Sequence, residues 1–69
     1  MKQHAVVFER AARGYAAFVP DLPGCVATGR TSELVERRIR EAIELHRAGM
    51  REAGLRVPEP STWTGAVEA

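Results

Sequence analysis

Read for its alternation of apolar and polar positions, the chain opens on a short β-branched and aromatic run, His4-Ala5-Val6-Val7-Phe8-Glu9, that predicts a first strand over 4–9. The charged break Arg10-Ala11-Ala12-Arg13-Gly14 then predicts a hairpin, with Gly14 in a left-handed backbone position. Tyr15-Ala16-Ala17-Phe18-Val19 predicts a second strand. It must stop at Pro20, which has no N–H to give to a ladder. Pro20-Asp21-Leu22-Pro23-Gly24 predicts a tight turn, two prolines fixing φ and Gly24 supplying a positive φ. Cys25-Val26-Ala27-Thr28-Gly29 returns as a third strand, with alternate side chains toward the core.

The period then changes from two to three and four. The Thr31 hydroxyl is placed to cap a helix beginning at Ser32, and Glu33 and Glu36 follow where the helix dipole favours negative charge. As far as about Ala53, the residues Val35, Ile39, Ala42, His46, Met50 and Ala53 fall on one stripe, flanked by Leu34, Ile43 and Leu45. The opposite face carries Glu33, Glu36, Arg37, Arg40, Glu41, Glu44, Arg47 and Arg51, with Glu33/Arg37 and Glu36/Arg40 in the favourable i,i+4 order. Such a face is solvated or serves as a mixed-charge docking surface. Gly54 ends the helix, and Pro58-Glu59-Pro60 forbids its continuation. Thr62-Trp63-Thr64-Gly65-Ala66-Val67 predicts a fourth strand at a sheet edge.

The expected order is therefore β-β-β-α-β: an α+β, two-layer fold in which one long helix packs on one face of an antiparallel sheet. Alternation leaves apolar side chains on the other face as well, since Val6 and Phe8 oppose Ala5 and Val7, and Phe18 opposes Tyr15, Ala17 and Val19. That second face wants a cover. At 69 residues only one domain, 1–69, is sensible. A chain of this size buries about 60% of the surface its unfolded form exposes, and it has no disulfide to help, so self-association (a dimer or tetramer) or a bound partner is expected. Formal charge is +1, which excludes a global field for nucleic acid and leaves room for a local basic patch. No apolar run reaches the roughly 18 residues of a membrane span. Met1-Lys2-Gln3-His4 leads into a strand rather than a secretory core, so the cytoplasm is the expected compartment.

Candidate chemistry is sparse. His46 lies within the apolar stripe, where a ring that satisfies a backbone carbonyl while packing is the simplest reading. His4 and the lone Cys25 complete no metal-ligand spacing, so no metal and no cofactor is expected. Cys25 with His46, oriented by Asp21 or a glutamate, would be the right cast for a thiol enzyme, but a small apolar side chain after a Pro-Gly turn explains Cys25 as well. Arg13-Gly14-Tyr15-Ala16 matches the first four places of the RNA-recognition-motif signature; Ala17 and Pro20 then break it. Sequence-specific DNA reading by a helix-turn-helix needs a second helix that the chain lacks. Trp63 either closes the open end of the core or anchors an interface.

Several strings together carry a resemblance: Phe8-Glu9, Gly14-Tyr15, Phe18-Val19-Pro20-Asp21-Leu22-Pro23-Gly24-Cys25, Gly29-x-Thr31, Arg40-Glu41-Ala42-Ile43-Glu44-Leu45-His46 and Val57-Pro58-Glu59-Pro60-Ser61. Over residues 4–61 the chain resembles the N-terminal domain of the HicB-like antitoxins. Arg30 and Leu34-Val35 depart from the family pattern, which has an acidic residue before the capping threonine and Glu-Ala after it. The resemblance implies a trimmed ribonuclease-H-like fold with no catalytic carboxylates of its own. It also implies an antitoxin that binds a HicA-type ribonuclease and covers its mRNA-cleaving active site. Many members carry a C-terminal DNA-binding domain, and none is expected within 1–69. Pro20, Asp21, Pro23, Gly24 and Thr31 are structural motif residues, with mechanical jobs in the turn and the cap. Tyr15 and Trp63 are the expected partner contacts, because aromatic side chains dominate interface energies. The alternatives are a stand-alone RNA-binding module built on Arg13 and Tyr15, and a scaffold of the same family without a toxin.

Overall fold

A computed structural model describes residues 3–68. Three strands, β1 (Val7–Ala11), β2 (Gly14–Phe18) and β3 (Val26–Gly29), precede one helix, α1 (Ser32–Glu52). The sheet is antiparallel in the order β1-β2-β3, so β1 and β3 are both edges.

Strand one lies later than its hydrophobic run suggests. A two-residue turn at Ala12-Arg13 pairs Ala11 with Gly14 and Val7 with Phe18, which draws Glu9, Arg10 and Ala11 into the ladder. His4, Ala5 and Val6 precede the strand. Gly14 has φ of 150°, and a Cβ there would collide with the carbonyl oxygen of Gly29, so glycine lets the hairpin lie close to β3.

The turn between β2 and β3 is two reverse turns in series. Leu22 N–H donates to the Val19 carbonyl at 3.1 Å, and Cys25 N–H donates to the Leu22 carbonyl at 3.0 Å. Pro20 and Pro23 each occupy the position of their turn that wants φ near −65°, and Gly24, at φ 84°, takes the left-handed place that a type II turn requires. Val19 N–H closes the loop onto the Cys25 carbonyl at 3.1 Å. This geometry turns Leu22 inward, where it is wholly buried.

The Thr31 side chain accepts from Leu34 N–H at 3.1 Å, the expected N-cap. At the far end Gly54, φ 75°, donates to the Arg51 carbonyl and Leu55 N–H donates to the Met50 carbonyl, the paired bonds of a Schellman termination. Of the two expected charge pairs, Arg40 and Glu36 meet at 3.4 Å. Glu33 instead accepts from the Ser32 hydroxyl.

The core is Ala17, Val19, Leu22, Cys25, Val35 and Ile39, with Val6, Tyr15, Ala27, Ala42 and Ile43 packed around it. α1 lies across β2 and β3 and leaves β1 uncovered on that side. Twenty-one residues at about 1.5 Å each make a helix about 31 Å long, against about 17 Å for a five-residue strand, so its second half overhangs the sheet. Leu45 is accordingly exposed. His46 is half-buried and makes none of the hydrogen bonds among the described residues, so the expected carbonyl bond is absent.

The fourth strand is not formed: residues 62–67 carry no strand. The first N–H of this segment, that of Thr62, donates to the Asp21 carboxylate rather than to a ladder, as does the N–H of Ser61 before it. A three-stranded sheet with one helix keeps the two-layer α+β architecture and shortens the expected order to β-β-β-α.

Candidate protein-binding surface

Asp21 organises one end of the sheet. Its carboxylate accepts four hydrogen bonds from the segment after the helix: Thr62 Oγ1 at 2.6 Å, Ser61 N at 2.8 Å, Ser61 Oγ at 2.9 Å and Thr62 N at 3.0 Å. The Thr62 hydroxyl and then the Ser61 N–H do most to hold this carboxyl well below the usual carboxylate range. His4 Nδ1 lies 3.9 Å from the same carboxylate, the His4 and Asp21 side chains being 7% and 9% exposed. Proline at 20 places Asp21 at the corner of the first turn, where its carboxylate meets Ser61 and Thr62, while its neighbour Leu22 turns into the core. The result is a latch: the chain just beyond the Pro58-Glu59-Pro60 string is fastened to the β2–β3 turn.

Beyond the latch Trp63 is 86% exposed and Val67 is 95% exposed, so the tryptophan does not close the core. Tyr15 is half-buried on the helix side of β2 and packs against the core cluster. Asp21 lies beyond the end of β2 opposite to Gly14, so Trp63 and Tyr15, the two aromatic candidates, stand toward opposite ends of the sheet. Across the helix-free face the register aligns Val7, Phe18 and Val26 in one row, Phe18 being 37% and Val26 62% exposed. A groove of about 470 Å³ runs between β1 and α1, floored by Val6, Phe8, Ile39 and Ile43 and edged by Glu36 and Arg40.

A thiol centre is not assembled here. Cys25 is buried, and burial pushes its thiol up, the reverse of an activated nucleophile. Asp21 is engaged by Ser61 and Thr62, and its histidine neighbour is His4 rather than His46. Among the described residues no group of three or more His, Cys, Asp or Glu is placed to hold a metal ion, and no helix is long and apolar enough to cross a membrane.

Pro20, Asp21, Pro23, Gly24 and Thr31 thus form one turn, one latch and one cap. The sequence model of the HicB_like antitoxin of bacterial toxin-antitoxin systems matches residues 4–68. The chain belongs to the HicB-like antitoxin family. This HicB-like chain is also 52% identical, over 40 residues, to a UPF0150 protein of Helicobacter pylori strain J99, an alignment that covers 58% of the chain and 56% of that protein. The likeness therefore spans little more than half the length of either.

Sequence reasoning missed two features of the HicB-like chain. The first is the latch, because Asp21, Ser61 and Thr62 are far apart in sequence and only the fold brings them together. The second is a basic hollow at the opposite end of the sheet, where Arg30 and Arg38 join Arg13 and Tyr15. The broken RNA-motif string drew attention to Arg13 and Tyr15, but nothing in the spacing linked them to Arg38 on the helix.

Proposed function

We propose that the chain is an antitoxin that binds a HicA-type mRNA-cleaving ribonuclease and inhibits it by covering the active site. The observation that carries this reading is the antitoxin-family match over residues 4–68, nearly the whole described chain. The chain acts as a binding protein and not as an enzyme, in keeping with the buried Cys25 and the fully engaged Asp21. It works in the cytoplasm, where the toxin's messenger RNA substrate lies, and it needs no cofactor.

Trp63 and Tyr15 are the proposed contacts. Trp63 is the stronger, since an exposed indole presented beside a fastened segment offers area to a partner at little cost in ordering. The row of Val7, Phe18 and Val26 is the proposed self-association face for a dimer or tetramer.

The test is an RNA-cleavage assay with a HicA-type ribonuclease, run with and without added chain. Inhibition that titrates to a fixed ratio supports the reading. Trp63→Ala should weaken the complex by about thirtyfold, the size of a typical hot spot of about 2 kcal/mol. Unchanged inhibition by that variant removes Trp63 from the contact. A pull-down from the native host that returns only the chain itself would instead favour a scaffold that has no toxin.

A further inference from the structure

Three arginines from three separate elements converge on one hollow at the hairpin end of the sheet. Arg13 comes from the β1–β2 turn, Arg30 from the connection before the helix cap, and Arg38 from α1, and they surround a space of about 410 Å³. Its apolar wall is Ala11, Tyr15 and Leu34. No carboxylate lines it, whereas the hollows elsewhere along the helix and beside β1 each contain a glutamate. The ion pairs among the described residues, His4 with Asp21 and Arg40 with Glu36, leave all three of these arginines without a neutralising partner. On a chain of formal charge +1, this is a local concentration of positive charge.

The site is also partly pre-set. Arg38 Nη1 donates to the Thr28 carbonyl at 2.8 Å, which fixes the guanidinium against the end of β3 and leaves its other N–H groups free. Gly14 and Gly29 line the hollow with backbone alone. Guanidinium forks match the oxygens of a phosphate in pairs, and one phosphate has enough oxygens to engage more than one arginine. The volume is within the range of about 300–1,000 Å³ usual for sites that hold a small organic molecule. Cations around an apolar wall suit a ligand that is itself divided, with an anionic group at one end and a flat heterocycle at the other.

We propose that this hollow binds a nucleotide unit, its phosphate on Arg13, Arg30 and Arg38 and its base against Tyr15 and Leu34. The unit is either one residue of a single-stranded RNA or a free 5′-mononucleotide. The proposal does not rest on the antitoxin reading: it shares Tyr15 with the proposed toxin contacts but not Trp63, which lies near the other end of the sheet, and RNA affinity is read without any toxin present.

The experiment uses the full chain and a fluorescently labelled single-stranded RNA of about ten nucleotides, with binding followed by anisotropy at low salt. Binding is expected to fall with rising salt at a log–log slope of about −0.7, the value for the one phosphate that the three arginines share. Arg13→Gln and Arg30→Gln should each weaken it by about tenfold, the loss expected for one charge-assisted hydrogen-bonded contact. Arg51→Gln, at the far end of the helix, should leave it unchanged, and circular dichroism checks that each variant is folded. Adenosine monophosphate that displaces the RNA where inorganic phosphate does not assigns the site to a free nucleotide. RNA binding that the mononucleotide cannot displace assigns it to a strand. Equal losses in the Arg51 and Arg13 variants, no binding of either probe, or binding of a polyglutamate peptide in preference to both would overturn the proposal.

Discussion

The smallest change with the largest expected effect is at Leu22, a residue inside a turn. Removing three buried carbons in Leu22→Ala forfeits roughly 2–2.5 kcal/mol of transfer free energy, and the cavity left behind raises the cost to about 3–4 kcal/mol. The side chain is wholly buried and the loop around it is fastened by three backbone hydrogen bonds, so little collapse into the space is available. A domain of 69 residues at about 0.05–0.15 kcal/mol per residue has only about 3–10 kcal/mol in total. Leu22→Ala should therefore stand at the edge of unfolding, and Leu22→Val, at about 1 kcal/mol, supplies a measurable intermediate. Urea titration followed by far-ultraviolet circular dichroism, at concentrations that keep the chain monomeric, should move the midpoint by about 1 M for the valine variant. Trp63→Ala, although it deletes the largest side chain in the protein, should change stability by no more than about 0.5 kcal/mol, because that ring is 86% exposed. A Trp63 variant less stable than Leu22→Val would refute this location of the core.

Thr31→Ala should cost about 1 kcal/mol through loss of the cap to Leu34 N–H, read as a lower melting temperature. Gly24→Ala should cost about 1–2 kcal/mol from its positive φ alone, and Gly14→Ala more, because there a Cβ also meets the Gly29 carbonyl; comparative melting curves check the ranking. The Asp21 carboxyl has a folded pKa below its unfolded value of about 3.9, so its hold on the tail is complete above about pH 5 and is lost as pH falls through the acid range toward that depressed value. Amide-exchange protection at Ser61 and Thr62 should fall with it, and Asp21→Asn should weaken that protection at neutral pH and flatten its acid dependence. Cys25, buried and with its thiol pushed up, should react with a thiol reagent only as fast as the protein opens, so its rate should rise with urea in step with unfolding.

Local chemistry was legible where a single residue dictates backbone geometry. Pro20, Pro23 and Gly24 announced the turn, Thr31 the helix start and Gly54 its end, and all stand where their φ preferences and hydrogen-bonding groups require. The first strand was displaced because apolar content marked residues 4–9, while the ladder is set by the turn at Ala12-Arg13 and by pairing with Gly14–Phe18. Thr62–Val67 has the alternation of an edge strand but not its hydrogen bonds, and the commitment of the Ser61 and Thr62 N–H groups to Asp21 is one that no local pattern reveals. Leu22 was hidden for a related reason: flanked by turn-forming residues, it belongs to no periodic stripe and reaches the core only because two turns follow each other. Of the proposed contacts, the exposure of Trp63 and the arginine neighbours of Tyr15 depend on which elements lie side by side, which is information held in the fold.

The carboxylate of Asp21 has a further consequence. His4 and Thr62 approach the same group from nearly opposite ends of the chain, so the backbone is almost a closed ring with Asp21 as its clasp. A circular permutant that bridges these two segments with a short linker and opens at Ala12-Arg13 would keep the β2–β3 turn, the helix cap and the clasp intact. It would also sever the hairpin that brings Arg13 to the basic hollow, so the same rearrangement would test the two proposed sites separately, keeping the proposed partner contact at Trp63 and weakening the proposed anion site at the hairpin.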